Sequence, residues 1–220
     1  MPKISAYIIA YNEAAKIEAA VSSVLWTDEV VVADSQSTDG TAALAEALGA
    51  RIVQIPFSGF GELRNRAIEA CRHEWIFSLD SDERCTAAVR DEILKLIERD
   101  SSHDAYLVPR RLYMMGRWIT GSGWYPNYRQ PQLFRKGAMR YKPDQVHEGY
   151  ELLTEKPLGK LDNAIHQFPA RHRRDDSHGQ SDDQFNKYAC QCQREGIRDA
   201  AENQLRHSSL LAVGKSQVTA

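Results

Sequence analysis

An apolar run meets three carboxylates in the stretch Trp75-Ile76-Phe77-Ser78-Leu79-Asp80-Ser81-Asp82-Glu83. Such a run is typical of a buried parallel strand, and open α/β sheets bind ligands in the crevice beyond the carboxyl ends of these strands. Asp80 and Asp82 can share a hard divalent cation, because Mg²⁺ and Mn²⁺ prefer carboxylate oxygens. Acidic triplets also occur as solvated turns or helix caps, so this stretch alone leaves both interpretations open.

Length and composition narrow the class of protein. The chain has 220 residues, of which 42% are hydrophobic, so we expect one domain with a small appendage. A net charge of −2, with both signs mixed along the chain, does not favour nucleic-acid binding. The four cysteines follow neither a CxxC nor a zinc pattern, which predicts reduced thiols. Without signal-peptide features or a long apolar segment, the sequence predicts a cytoplasmic protein that is able to lie on a membrane.

Apolar runs predict strands that alternate with helices in the first half of the chain. The strands are predicted at 4–10, 30–33, 52–55 and 75–79. Apolar residues at helical spacing predict a helix after each of these strands. This order predicts an α/β fold with a doubly wound, mostly parallel sheet and helices on both faces.

The second half has a different composition. Strands are predicted at 105–109, 132–135 and 146–153, whereas Trp, Tyr, Gly and Pro residues in 110–128 predict an aromatic-lined loop. The segment 171–183 is polar and has no apolar period, although some helical character returns further on.

Polar side chains follow three of the predicted strands. Asn12 and Glu13 follow the first strand, Asp34 the second, and Asp80 and Asp82 the fourth. Because the carboxyl ends of neighbouring parallel strands meet at one edge of a sheet, we expect these side chains to line one site. Carboxylates there can bind the ribose and base of a nucleotide, while a metal ion neutralises its pyrophosphate in place of a glycine-rich loop.

Four motifs resemble, in their order and spacing, the inverting family 2 glycosyltransferases of GT-A fold: Ala10-Tyr11-Asn12-Glu13, Asp34-Ser35-x-Ser37-x-Asp39-Gly40-Thr41, Gly61-x-x-Arg64-Asn65 and Leu79-Asp80-Ser81-Asp82-Glu83. Four later motifs resemble the bacterial lipopolysaccharide-core glucosyltransferases within that family: Trp118-Ile119, Gly123-Trp124-Tyr125-Pro126, Leu133-Phe134-Arg135 and Val146-His147-Glu148. The resemblance extends over residues 3–168.

The resemblance implies transfer of a sugar, expected to be glucose, from a nucleotide sugar that is usually UDP-linked. Glu13 and Asp34 would contact the uridine, and Asn12 would line the same donor site. Arg64 would lie near the nucleotide or pyrophosphate, although a surface helix arginine is an open alternative. The implied cofactor is Mg²⁺ or Mn²⁺, contacted directly by Asp82, with Asp80 on the metal or its water or on the ribose.

The acceptor half should supply the catalytic base and the aromatic contacts. An inverting transfer needs a base to accept the proton of the acceptor hydroxyl. Glu148 is the favoured base because it belongs to a matching motif, and Asp144 is the alternative. Strand alternation sends His147 and Glu148 to opposite faces, so only one of them need face the acceptor. Aromatic residues either pack a secondary core or stack on acceptor sugars: Trp118, Trp124 and Tyr125.

These motifs imply a glycosyltransferase domain at 1–168, with a nucleotide-sugar-binding half at 1–104 and an acceptor half at 105–168. Residues 169–220 form an atypical tail. The acceptor is expected to be a saccharide or glycolipid of the lipopolysaccharide core or cell envelope, and contact with the inner-membrane surface is compatible with the basic cluster at 171–174.

Two other functions stay open from the sequence. A nucleotidyltransferase also has a doubly wound sheet with acids, although its triphosphate loop would be rich in Gly and Arg or Lys. A catalytically impaired nucleotide-sugar-binding module is the second alternative, because the tail is atypical.

Overall fold

The computed structural model describes residues 2–99, 102–121, 125–126, 130–142 and 149–169. In its first half, strands and helices alternate: β1 (Ile4–Ala10), α1 (Ala14–Ser22), β2 (Glu29–Asp34), α2 (Thr41–Ala47), β3 (Arg51–Gln54), α3 (Phe60–Ala70), β4 (Trp75–Asp80), β5 (Glu83–Arg84) and α4 (Ala87–Glu98). Strands follow: β6 (Ala105–Leu107), β7 (Arg110–Met114), β8 (Arg117–Trp118), β9 (Pro131–Arg135), β10 (Met139–Tyr141), β11 (Tyr150–Leu152), β12 (Gly159–Lys160) and β13 (Ile165–Gln167).

The main sheet has seven strands in the order β12-β6-β9-β4-β1-β2-β3. β1 lies between β2 and β4 and is parallel to both, while β9 is antiparallel to its neighbours β4 and β6. The chain order reverses between β1 and β4, which is the kind of position where doubly wound sheets bind ligands. The predicted mixed, mostly parallel sheet is confirmed.

Helices cover both faces of this sheet. Successive side chains of a strand point to opposite faces, so neighbouring residues of β4 show which helix lies on each face. Phe77 of β4 belongs to a buried apolar cluster that also contains Val21 of α1 and Ile93 of α4. The next residue of β4, Ser78, lies 3.5 Å through its Oγ from Nη1 of Arg64, which belongs to α3. The two faces of β4 therefore contact different helices, as predicted.

Two smaller sheets complete the described part of the chain. Four strands form one sheet in the order β5-β13-β7-β8, and β10 pairs with β11 in the other. The prediction of a loop at 110–128 was wrong for its first half, since β7 and β8 form an antiparallel hairpin there. In β7, Arg110 and Leu112 are buried whereas Arg111 and Tyr113 are half-buried. This alternation is typical of a strand with one face packed on the core and the other face partly exposed to solvent.

The end of α1 also differs from the apolar pattern. The pattern predicts Leu25 on the buried stripe, but α1 ends at Ser22 and Leu25 is 48% exposed. The Ser23 hydroxyl donates a hydrogen bond to the Ala20 carbonyl at 2.7 Å, and such local bonds compete with helix continuation. None of the helices in the described segments is both long and apolar enough to cross a bilayer.

Candidate active site

The predicted acids meet at one edge of the main sheet. Ala10 pairs with Asp34 across β1 and β2, and Ile9 pairs with Asp80 across β1 and β4, so the carboxyl ends of these three strands are level. β1 runs on into Asn12, which therefore follows the central strand of the three. The alignment of strand-end polar residues, predicted from separate apolar runs, is present in the fold.

The loop between β2 and α2 caps the N-terminus of α1. Three consecutive backbone N–H groups donate to side chains of this loop and of the first residue of α2: Asn12 to Ser37 Oγ (2.9 Å), Glu13 to Thr41 Oγ1 (2.8 Å) and Ala14 to Asp39 Oδ2 (3.0 Å). In return, Asn12 Oδ1 accepts the backbone N–H of Thr38 at 2.9 Å. These bonds satisfy groups that a helix start leaves without helical partners, and they fix Asn12 beside the site.

Glu13 and Asp34 differ in their access to solvent. The Glu13 carboxylate forms an ion pair with Lys16 at 2.5 Å and keeps 20% of its side chain exposed. Asp34 is fully buried, and its Oδ2 accepts the Ser37 N–H at 3.0 Å and Gln54 Nε2 at 2.8 Å. Its Oδ1 also accepts the Ser37 hydroxyl in a short bond. Asp34 thus orders the loop, and its contact with uridine stays a prediction.

Glu83 is the last residue of the acidic turn, Asp80–Glu83, which begins at the end of β4. Its buried carboxylate accepts the backbone N–H of Asp80 at 3.0 Å and Nε2 of Gln132 at 2.9 Å, and it forms a short ion pair with Nε of Arg110. Burial opposes the charge of Arg110, but the Glu83 and Asp80 carboxylates raise its pKa. A buried charge pair therefore stabilises the turn that carries Asp80 and Asp82.

Glu83 and Arg110 had no role assigned from the sequence. The available signal was the position of Glu83 directly after the acid-x-acid motif, whereas Arg110 comes from a distant strand. Their pairing across 27 positions of sequence has no local pattern that could have revealed it.

Arg64 is directed at the acidic turn from α3. Its Nη2 donates to Asp80 Oδ1 at 2.8 Å, and the Arg64 side chain is only 3% exposed while that of Asp80 is 28% exposed. Its Cζ also lies 5.5 Å from the centroid of the Tyr141 ring. The alternative of a surface arginine is therefore wrong, and the predicted contact of Arg64 with the nucleotide or pyrophosphate stays a prediction.

Asp82 lies among other carboxylates. Burial, together with Asp80 and Glu83, raises the pKa of the Asp82 carboxyl to about 7. Its Oδ2 accepts Nε2 of Gln167 at 3.3 Å, and its backbone carbonyl accepts the N–H of Phe168 at 2.8 Å. Gln167 had no signal in the sequence, because β13 reaches the turn only through its pairing with β5.

A divalent cation fits this turn. A cation beside Asp82 would stabilise its charged form, which burial and the Asp80 and Glu83 carboxylates disfavour, and Mg²⁺ or Mn²⁺ would be held by Asp82 and Asp80. In the described segments no cluster of three or more His, Cys, Asp or Glu side chains could hold a metal ion unaided. Two carboxylates leave positions on Mg²⁺ or Mn²⁺ for water and substrate phosphate, which is how these ions are usually bound beside phosphates.

Two of the predicted acceptor aromatics lie together. The Trp118 and Tyr125 rings meet edge to face at 5.3 Å, and the Arg111 Cζ lies 4.7 Å from the Trp118 centroid and 5.6 Å from that of Tyr125. Trp118 keeps 39% of its surface exposed, so packing and ligand contact are compatible. Four predicted residues lie outside the described residues: Trp124, Asp144, His147 and Glu148.

The sheet order and the strand-end acids define a GT-A-type glycosyltransferase fold. The family model for glycosyl transferase family 2 matches residues 5–151. The chain therefore belongs to glycosyl transferase family 2, which favours a glycosyltransferase over the nucleotidyltransferase alternative.

Individual relatives agree with this assignment. An uncharacterized glycosyltransferase of Rickettsia bellii is 44% identical over 106 residues, covering 48% of this chain and 36% of that protein. The lipopolysaccharide core biosynthesis glycosyltransferase LpsC of Rhizobium meliloti is 34% identical over 172 residues, covering 74% of this chain and 62% of that protein. The chain thus spans between about a third and under two thirds of these two relatives.

Solved structures agree on the fold. A crystal structure of S. aureus TarS superposes with a TM-score of 0.57 at 20% sequence identity, covering 76% of this chain and 60% of that one. At this identity the likeness shows the shared architecture alone.

Proposed function

We propose that this chain transfers a sugar, glucose, from a UDP-linked donor to a saccharide or glycolipid acceptor with inversion at the anomeric carbon. The observation that carries the proposal is the acidic turn Asp80–Glu83, held beside the carboxyl end of β1 in a chain of glycosyl transferase family 2. A relative named for lipopolysaccharide core biosynthesis supports an acceptor of the lipopolysaccharide core or cell envelope.

Donor binding is assigned to residues 1–104. Glu13 and Asp34 would recognise the uridine, with Asn12 at the same edge of the sheet. A divalent cation held by Asp82 and Asp80 would offset the negative charge that grows on the leaving diphosphate. The Arg64 guanidinium, 2.8 Å from Asp80, keeps that carboxylate oriented and adds positive charge near the pyrophosphate.

Acceptor binding is assigned to residues 105–168, with Trp118, Trp124, Tyr125 and His147 at the sugar. In the reaction the acceptor hydroxyl oxygen forms a bond to the anomeric carbon while the bond from that carbon to the diphosphate oxygen breaks. The hydroxyl proton passes to a base, for which we propose Glu148, with Asp144 as the alternative. UDP leaves with the electron pair of the broken bond.

Donor binding can be tested by calorimetry with UDP-glucose, UDP-galactose and UDP-N-acetylglucosamine, each with and without Mn²⁺. We expect saturable binding of UDP-glucose that requires the metal and is lost in Asp82→Ala. Asp91→Ala is the matched control, because Asp91 is an exposed aspartate of α4 that pairs with Arg90 at 2.8 Å. Binding of no donor, or equal binding by Asp82→Ala and wild type, would overturn the proposal.

The base is tested separately from the donor. Glu148→Gln removes the proton acceptor but keeps the side-chain volume, so we expect unchanged UDP-glucose binding and transfer reduced by about 10² to 10⁴-fold. Asp144→Asn in the same assay distinguishes the two candidates. Normal transfer by Glu148→Gln together with loss in Asp144→Asn would assign the base to Asp144.

A further inference from the structure

The tip of the β7–β8 hairpin has an unusual composition for its geometry. Tyr113 pairs with Trp118 and Met114 with Arg117, which leaves Met115 and Gly116 as a two-residue turn. Their φ angles are 53° and 77°, both in the left-handed region. Turns of this kind strongly favour Asn, Asp or Gly at both positions, so a methionine here is conformationally costly.

The methionine at the turn is also the most solvent-facing apolar side chain of the hairpin. Met115 is 80% exposed and its neighbour Met114 is 53% exposed. Neither the turn geometry nor burial in the fold explains two adjacent methionines there. Costly local conformations and contiguous exposed apolar groups both occur at binding surfaces, and the flexible methionine side chain adapts to irregular apolar partners.

The base of the hairpin combines polar and apolar contacts. Arg111 lies over the Trp118 ring with its Cζ 4.7 Å from the centroid, and the backbone N–H of Ile119 donates to the Leu112 carbonyl at 2.9 Å. Trp118 is partly exposed beside the tip. Tryptophan with one apolar and one polar side is typical of the boundary between lipid and water.

Charge identifies the kind of partner. The hairpin residues 110–118 contain three arginines and no Asp or Glu: Arg110 is buried in its ion pair with Glu83, Arg111 lies over the Trp118 ring, and Arg117 is exposed. Arg117, exposed and paired with Met114 across the hairpin, lies directly at the tip. An apolar tip beside basic residues is complementary to the headgroup region of an anionic bilayer, where apolar contact and charge attraction act together.

We propose that the β7–β8 hairpin docks on an anionic lipid bilayer, with Met114 and Met115 entering the headgroup region and Arg117 contacting lipid phosphates. The docking goes beyond the proposed transfer and does not depend on it. The two are physically linked, because β7 pairs with β13 and β13 pairs with β5, which directly follows Asp82. Docking would bring the acidic turn close to acceptors anchored in the membrane.

Vesicle flotation tests this proposal, with phosphatidylcholine vesicles and with vesicles that also contain phosphatidylglycerol. We expect wild type to bind the anionic vesicles and the variant Met114→Ser/Met115→Asn to bind them about tenfold more weakly. Asn suits the left-handed turn, so this variant should unfold at the same or a higher temperature. A lower unfolding temperature would point to a structural role for the methionines and overturn the proposal.

The matched control removes equally exposed apolar groups elsewhere. Leu25 is 48% exposed and Leu153 is 55% exposed, and Leu25→Ser/Leu153→Ser should bind vesicles as wild type does.

Arg117→Gln should weaken binding to anionic vesicles about fivefold and reduce its salt dependence. Equal binding by the methionine variant and wild type, or a dimer in vesicle-free solution that the variant abolishes, would overturn the proposal. Loss of donor binding with intact vesicle binding would instead count against the transferase function alone.

Discussion

Glu29 joins three strands at the edge of the main sheet opposite the active site. Its Oε2 accepts the Ser5 hydroxyl at 2.7 Å and the backbone N–H of Arg72 at 2.8 Å, and its Oε1 accepts Nη2 of Arg51 at 2.8 Å. Burial opposes its charged form, but the bonds from Ser5, Arg72 and Arg51 outweigh burial and lower its pKa. The charged carboxylate therefore stabilises the fold.

Glu29→Gln should lower the free energy of unfolding at pH 7 by about 1 to 3 kcal/mol, because the charged acceptor of several donors is lost. Since the folded pKa lies below the unfolded one, this stabilisation is present above about pH 4.3 and disappears as the pH falls through the folded pKa. Urea unfolding at several pH values measures the difference from wild type. An exposed glutamate provides the control, Glu62→Gln, which should change stability by less than about 0.5 kcal/mol. A difference for Glu29→Gln that does not depend on pH would contradict this account.

Some properties of the candidate site residues could be predicted from the local sequence and others could not. The acids at strand ends were predictable, since each follows a visible apolar run, and Asp34 and Asp80 do lie at neighbouring strand ends. Their exposure was not predictable. Asp34 is buried under Ser37 and Gln54, whose positions depend on the loop and on β3. A side chain's partners across the fold have no periodic signature, so the residue type alone could not separate a ligand contact from an internal hydrogen bond.

At the scale of elements, one buried group connects the main sheet to the four-stranded sheet. Glu83 of β5 bonds to Arg110 of β7 and to Gln132 of β9, and Gln132 Nε2 also donates to the Ser78 carbonyl of β4 at 3.1 Å. Since Arg110 is 2% exposed and Glu83 fully buried, neither charge has water as an alternative partner. The two sheets should therefore unfold together.

Arg110→Met should lower the free energy of unfolding by about 3 to 5 kcal/mol, because it leaves the Glu83 carboxylate buried without a countercharge. Adding Glu83→Gln to that variant should restore part of the loss, so the double variant should be more stable than the sum of the single changes predicts. Urea denaturation of the wild type, both single variants and the double variant completes the cycle. Purely additive losses would mean that the two charges do not stabilise each other.

The elements also differ in how much of their structure is local. β1 to β4 and the four helices were predicted from apolar runs or stripes in their own sequences, although none of the four residues of β3 is fully buried. β5, β12 and β13 are two or three residues long and exist through their partners, so no pattern of their own predicted them. The β7–β8 hairpin was predicted as a loop from the Trp, Tyr, Gly and Pro content of 110–128, and its turn, Met115-Gly116, lacks the usual Asn-Gly signal of a hairpin.

At the scale of the whole molecule, the alternation of strands and helices was enough to predict a doubly wound sheet, because crossovers between parallel strands are short and right-handed. The position of β9 between β4 and β6 was not predictable, because its apolar residues show only that it is buried. The half proposed to bind the donor thus follows from local sequence. The half proposed to bind the acceptor depends on long-range pairings of short strands.

Donor binding can also be measured through the stability of the whole protein. A ligand that binds only the folded state at 100 times its Kd adds about 2.7 kcal/mol to the free energy of unfolding. UDP-glucose with Mn²⁺ should therefore raise the unfolding temperature of wild type by roughly 5 to 10 °C. Chelation of the metal with EDTA should remove most of this rise, since no cation would then lie between the diphosphate and the Asp80 and Asp82 carboxylates.

Two variants test the proposed donor and acceptor halves separately in that measurement. Asp82→Ala should show no rise with UDP-glucose and Mn²⁺, because it lacks the proposed metal ligand. Glu148→Gln should show the full rise, because the base is needed for proton transfer and not for holding the donor. A rise that persists in EDTA would mean that the donor binds without the metal, and a rise lost in Glu148→Gln would mean that the proposed base also holds the donor.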